Sequence, residues 1–269
     1  MTNTARGSFS INGIALWGSR LPGWDAARAL LRGEAAAPEK PSPRPAPALL
    51  APTERRRAPD TVAVALEVAA RACEHAGVDP KNLPSVFAST HGDLAISDYM
   101  CETLAKTPTL TSPTKFHNSV HNAAAGYWTI GTKCLEPYTA VSAYQHTFGQ
   151  GLLEAVSQCA IEDAPALFVA YDIESRGPLG TMATSRGLLG GALVLAAQPS
   201  ERTQMNADWI VVERPSARSS PARSQNAALV EGNAMADCLA LFEALADGEP
   251  RVVQYTLSSQ LVLELHLKP

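Results

Sequence analysis

The sequence predicts an α/β layered fold, and three observations carry that reading. Short β-branched or apolar runs alternate with stripes of helical period along the chain. One of those runs, Ala166–Tyr171 (ALFVAY), is apolar at every position, as a strand covered on both faces must be. The chain has 269 residues, 46% hydrophobic and 18% charged, enough to bury a substantial core and too apolar for a disordered polymer.

Taken in order, residues 8–18 (SFSINGIALWG) read as a first strand, with Gly13 at a bulge or a close backbone approach. Trp24–Arg32 suits a short helix. Seven prolines between 34 and 59 predict an extended, partly disordered loop ending in Arg55, Arg56 and Arg57. Asp60–Ala76 is a helix with Val62, Leu66, Ala69, Ala70 and Cys73 on one stripe. Asp60 or Thr61 is placed to cap it and Gly77 to close it. Ser85–Thr90 reads as a buried strand, 93–106 as helical and Tyr138–Ser142 as another strand. Residues 145–161 form a helix with Phe148, Leu152, Ala155, Val156 and Cys159 facing inward. Gly191–Ala197 and Asp208–Glu213 are strands, and 214–232 is a flexible polar stretch. Ala234–Ala246 is a helix ending at Gly248, and Arg251–Thr256 with Gln260–Leu267 form a closing hairpin. The expected organisation is a main unit over 1–213, a linker over 214–232, and residues 233–269 completing the same domain.

The balance of 22 basic against 26 acidic residues, a net charge of -4, gives no electrostatic reason to bind nucleic acid. Runs such as Leu188–Ala197 are too short to span a bilayer. The N-terminal MTNTARGSFSINGIALWG lacks the regions of a signal peptide. The five cysteines form no CxxC pair, which fits reduced, mostly buried thiols and a cytoplasmic setting.

The chemistry-bearing stretch is 111–155. A polar, histidine-bearing loop leads to a small-residue helix, a β-branched strand, a sharp turn and a second helix. A nucleophile at such a turn gains from the exposed amides of the following helix. The turn holds Tyr144 and Gln145, and glutamine forms no useful acyl link. Read plainly, the two residues only cap the turn. His117 and His121 stand four apart, yet no Glu follows the first as a zinc helix of the HExxH kind requires, so they suit packing, a channel or an interface better than a metal. Ser142 and Ser119 lack a GxSxG frame. Gly177, Gly180, Gly187, Gly190 and Gly191 lack the spacing of a nucleotide cradle, so no cofactor is expected. Arg55–Arg57 is either a solvated surface or a docking patch for an acidic partner.

Residues 112–155 resemble the N-terminal half of β-ketoacyl synthases, of the thiolase-like fold. The contact points are Ser112-Pro113, Asn122-Ala123-Ala124-Ala125-Gly126 opening a helix, and the strand, elbow and helix after Pro137. Ala48–Arg57 and Arg186–Ala197 resemble the flanking segments, so the likeness covers roughly 8–200. The resemblance implies a layered α/β/α fold with only the N-terminal ketosynthase half, plus a short C-terminal helix and hairpin. Aligned without gaps from Asn122, the family's catalytic cysteine falls on Gln145, in the elbow Ser142-Ala143-Tyr144-Gln145-His146-Thr147. Cysteine replaced by glutamine marks chain-length factors and decarboxylating loading synthases. The latter need two C-terminal histidines, and here only His266 follows His146. The resemblance therefore implies a chain-length-factor-like subunit, similar to short ketosynthase-like proteins of aryl polyene and xanthomonadin-type pigment pathways. It implies a heterodimer with a catalytic ketosynthase, paired through Thr139, Ala140, Val141 and Ser142, although the isolated chain is also open to self-association. It sets Thr114, Lys115, Phe116, His117, Val120 and His121 against the partner's acyl tunnel, and makes Arg55–Arg57 a candidate contact for an acyl carrier protein. Two other readings stay open: a self-standing acyltransferase or hydrolase using Ser142, His117 or His121, and a carrier-protein-binding scaffold.

Overall fold

Ile14 and Leu16 of β1 (Arg6–Gly18) enter one hydrophobic core, while Ala15 and Trp17 between them enter another. A strand apolar on both faces needs a layer on each side, and that requirement organises the molecule. The structure, a computed structural model, describes residues 5–269. The first four residues, which belong to the stretch read for a signal peptide and to the unit expected over 1–213, lie outside the described residues.

Eight more strands join β1: β2 (Leu21–Pro22), β3 (Ser85–Ala88), β4 (Tyr138–Val141), β5 (Ala166–Asp172), β6 (Leu189–Ala196), β7 (Met205–Glu213), β8 (Arg251–Thr256) and β9 (Leu261–Lys268). The nine-stranded sheet runs β4-β3-β5-β6-β1-β7-β9-β8, with β2 paired to β1. β4, β3 and β5 are parallel, and every other pairing is antiparallel. Along β5, Phe168 and Ala170 face one core, and Leu167, Val169 and Tyr171 the other. The apolar run ALFVAY is thus buried on both faces, as expected.

The helices are α1 (Trp24–Leu31), α2 (Pro52–Arg57), α3 (Asp60–Ala76), α4 (Leu94–Lys106), α5 (Pro113–Asn118), α6 (Ala123–Thr132), α7 (Thr147–Glu162), α8 (Gly177–Gly180) and α9 (Leu239–Asp247). α3 and α6 cover one face of the sheet; α1, α7 and α9 cover the other. The β1 register slips between Ile11 and Gly13, the expected bulge. A Cβ on Gly13 would stand 2.2 Å from the Ala72 carbonyl oxygen, so glycine lets α3 lie against the strand.

Several local expectations need correction. The stretch 34–59 is not wholly extended, because Pro52 opens α2, where a ring-fixed φ and a missing N–H cost nothing. Neither Asp60 nor Thr61 caps α3: Pro59 holds the cap position, Asp60 pairs with Arg44 at 2.6 Å, and Thr61 is buried. Gly77 does close the helix, with φ 67. The strand expected over Ser85–Thr90 stops at Ala88. α7 and α9 are each entered through a 3₁₀ turn, Tyr144–His146 and Ala236–Cys238. Residues 214–232 are a fastened strap rather than a loose linker. The buried Glu243 carboxylate accepts from the backbone N–H of Arg223 at 2.7 Å and of Ser224 at 2.9 Å. No described helix is long and apolar enough to cross a membrane.

Candidate functional site

Where β4 ends, the chain reverses through Ser142–His146 into α7. Tyr144 sits in the left-handed region with φ 51. A bulky residue there costs roughly 1–3 kcal/mol, so its surroundings must hold it. They do: Thr147 Oγ1 accepts from Ala143 N at 3.0 Å and donates to Tyr144 O at 2.8 Å, and His146 N donates to Ala143 O at 3.0 Å. Strained strand-to-helix turns of this kind present a reactive side chain clear of the sheet. Here Tyr144 and Gln145 are presented, Tyr144 58% exposed. Gapless counting singles out Gln145, whereas the backbone strain falls one residue earlier. His146 Nδ1 lies 2.9 Å from Thr256 Oγ1 of β8, tying the elbow to the far end of the sheet.

The nearby serines and histidines do not form a nucleophile–base pair. Ser142 Oγ donates to Thr90 O at 3.0 Å. His121 Nε2 meets Ser89 O at 2.7 Å, and the His117 ring stands edge-on to Tyr127. The buried thiols are also quiescent: burial pushes Cys73 up to about 12 and Cys159 to about 11, which keeps them protonated at neutral pH. Cys101 is the exposed cysteine. The arrangement can present and bind, but it holds no activated nucleophile among these groups.

The stretch expected as a loop before the small-residue helix is instead α5. Ser112 accepts from Lys115 N, and Pro113 takes the first helical position. Ser-Pro is itself a helix-start signal, passed over because the flanking residues are polar. Thr114 is exposed, Phe116 is 61% exposed and Val120 48%. Lys115 Nζ lies 3.8 Å from the centre of the Tyr99 ring, and His121 turns inward to Ser89. The six residues expected to face a partner therefore divide: Thr114, Phe116 and Val120 are exposed, Lys115 and His117 are exposed but lie against rings of their own chain, and His121 is part of the base.

Among the described residues β4 pairs only with β3. Pro137 O accepts from Ser85 N of β3 and Val141 O from Ser89 N just past it, so by the period of two Thr139 also bonds inward while Tyr138 and Ala140 direct their N–H and C=O outward. Ser142 lies just beyond the strand. Apolar Ile130, Leu135 and Tyr138 are exposed beside this edge. The arginine run is not uniform. Arg55 turns back, donating to Leu50 O at 2.9 Å, and Arg56 and Arg57 are exposed. Arg57 rims a cavity of about 420 Å³ with Leu49, Leu50, His117, Tyr127 and Ile130. A larger cavity, about 700 Å³, lies by Trp17, Trp24, Arg71 and His75 and does not touch the elbow.

Asp172 was not singled out from the sequence. It closes β5, is fully buried, and accepts from Ser89 Oγ at 2.8 Å, Thr90 N at 2.9 Å and His91 N at 3.3 Å. Burial pushes its carboxyl above the ordinary range, and the bonds from Thr90, Ser89 and His91 oppose that. An acid ending a wholly apolar strand was the available signal.

The family description "Beta-ketoacyl synthase, N-terminal domain" matches residues 24–255. Among solved structures, a ketosynthase in complex with its chain length factor from Xenorhabdus doucetiae is 20% identical, with TM-score 0.69, covering 96% of this chain and 99% of that one. The ishigamide ketosynthase/chain length factor is 15% identical, with TM-score 0.63, covering 97% and 99%. A type II polyketide synthase acyl-carrier protein complex with its hexaketide-bound ketosynthase is 10% identical, with TM-score 0.69, covering 98% and 99%. No curated protein matches by sequence. The fold is the thiolase-like ketosynthase fold, as the resemblance implied.

Proposed function

The chain belongs to the β-ketoacyl synthase family through its N-terminal domain, and from that premise we propose that it is a non-catalytic, chain-length-factor-like subunit. It pairs with a catalytic ketosynthase and shapes that partner's acyl tunnel during polyene or fatty-acid-type synthesis of the aryl polyene or xanthomonadin kind. The observation that carries this reading is the elbow: its strained turn presents Tyr144 and Gln145, and the resemblance assigns the family's nucleophilic thiol to Gln145. Beside it, β4 leaves the N–H and C=O of Tyr138 and Ala140 free for a partner strand. Phe116 and Val120 supply the apolar contact to the partner's tunnel. The growing chain arrives on an acyl carrier protein, for which Arg56 and Arg57 are the exposed basic contacts.

The test is reconstitution. The purified chain alone should give no condensation with acyl- and malonyl-carrier protein, and intact-mass analysis should find no acyl adduct. Adding its ketosynthase should restore condensation, and Phe116→Trp or Val120→Trp should shift product length. An adduct on the isolated chain would favour the self-standing acyltransferase. Unchanged product length would favour a carrier-protein scaffold.

A further inference from the structure

Of the three places where the chain leaves the carboxyl ends of the parallel strands, two lie close together, after β3 into α4 and after β5 toward α8. The elements so formed make a thin cap. α4 buries only Met100 and Thr103, α5 only Asn118, and α8 nothing. α4 packs chiefly on α5, α8 and the short turn at Pro108–Leu110, all within the cap itself. Apolar burial therefore contributes little to fixing where the cap sits relative to the sheet.

Its base is fastened by polar groups. The Asp172 carboxylate holds the turn 89–92 through Ser89 Oγ, Thr90 N and His91 N. Ser89 Oγ in turn accepts from Gly92 N at 2.9 Å. From that turn hang two partner-facing elements. His121, just after α5, bonds Ser89 O, and Ser142, at the end of β4, bonds Thr90 O. Buried Asn233 closes the second exit, donating to Asp172 O at 3.2 Å and Arg186 O at 2.9 Å. A buried acid facing backbone N–H groups, with no cation paired to it among the described residues, is an expensive way to stabilise a fold and a specific way to fix one turn.

We infer that Asp172 is the positioning residue of the partner-facing surface: through the turn 89–92 it sets where α5 and the end of β4 stand. The inference deepens the proposed pairing with a ketosynthase and rests on it.

Hydrogen exchange on the isolated full chain reads the first half. Asp172→Asn keeps the volume but turns an amide N–H₂ toward donors. Exchange at 89–92 and 113–122 should rise about tenfold, the scale of one lost buried charged hydrogen bond, with α3 and β6 unchanged. Ser89→Ala should do the same more weakly, with the carboxylate still in place. Uniform acceleration that includes α3, or no change over 113–122, overturns the inference.

A double-mutant cycle reads the second half, with the catalytic ketosynthase as probe. Asp172→Asn and His121→Ala should each weaken pairing about tenfold, and together little more than either alone. Additive losses overturn it. If the wild-type chain pairs with no ketosynthase, the proposed function falls, and the exchange experiment still decides whether Asp172 positions α5.

Discussion

The two ends of the sheet are built differently. At the β8 end the outer edge is covered: Ser220 N donates to Gln254 O at 2.8 Å, Gln254 N to Ser220 Oγ at 3.0 Å and Thr256 N to Ser219 Oγ at 3.3 Å. The strap carrying those serines is itself anchored by Glu243. β8 also lies across α7, where a Cβ on Gly149 would stand 2.9 Å from the Tyr255 Cβ. At the β4 end the strand is short, its outer backbone groups have no partner strand among the described residues, and exposed apolar side chains flank it. Open edges invite pairing, and proteins ordinarily block them. Among the described residues a strap covers the β8 edge and none covers the β4 edge, a contrast that fits the proposed pairing through β4.

Proline separates the two roles. Ala140→Pro removes an N–H that points away from β3, so the chain should fold with little change in Tm. Pairing with a ketosynthase should weaken about 100-fold, the loss of an interfacial backbone bond plus the clash of the ring. Titration calorimetry measures this, and undiminished affinity would show that the β4 edge is not the interface. Gln254→Pro should do the opposite, leaving pairing intact and costing roughly 1–3 kcal/mol of stability in urea, because Ser220 loses its donor. Equal effects of the two prolines on stability would erase the distinction between the edges.

The smallest effect concerns charge at the β4 end. Burial raises the Asp172 carboxyl, so the folded chain binds its proton more readily than the unfolded chain does. That contribution is fully present below the ordinary aspartate value and is lost as pH rises through the raised one. The stability of the wild type relative to Asp172→Asn should therefore increase as pH falls from 7 toward 4. Urea unfolding of both proteins across that range checks the sign. A relative loss of stability in acid would mean that the bonds from Ser89, Thr90 and His91 outweigh burial.

Local patterns carried much of this to the sequence reader. The stripe on α3, the apolar run of β5, the bulge at Gly13 and the closing hairpin all follow from periods of 3.6 or 2. The small-residue opening at Asn122–Gly126 and the elbow after Pro137 pointed to the family. Three features were missed for identifiable reasons. α5 hid behind polar residues although Ser112 and Pro113 announce a helix start. Arg55 looked like surface charge, and only the fold of 48–50 brings a carbonyl to it. Counting from Asn122 selects Gln145, and the strain one residue earlier was invisible to it, because the left-handed φ at Tyr144 exists only once Thr147 locks the turn.

The sequence by itself determined most of the elements, the two-sided burial of the central strands and the absence of a thiol at the elbow, because each is a matter of residue type at local spacing. Only the tertiary structure decided which sheet edge is open, and that Asp172 grips a turn 81 to 83 residues away. A carboxylate that meets its donors across two strands leaves no periodic trace in the chain, since what selects it is the desolvation that folding imposes.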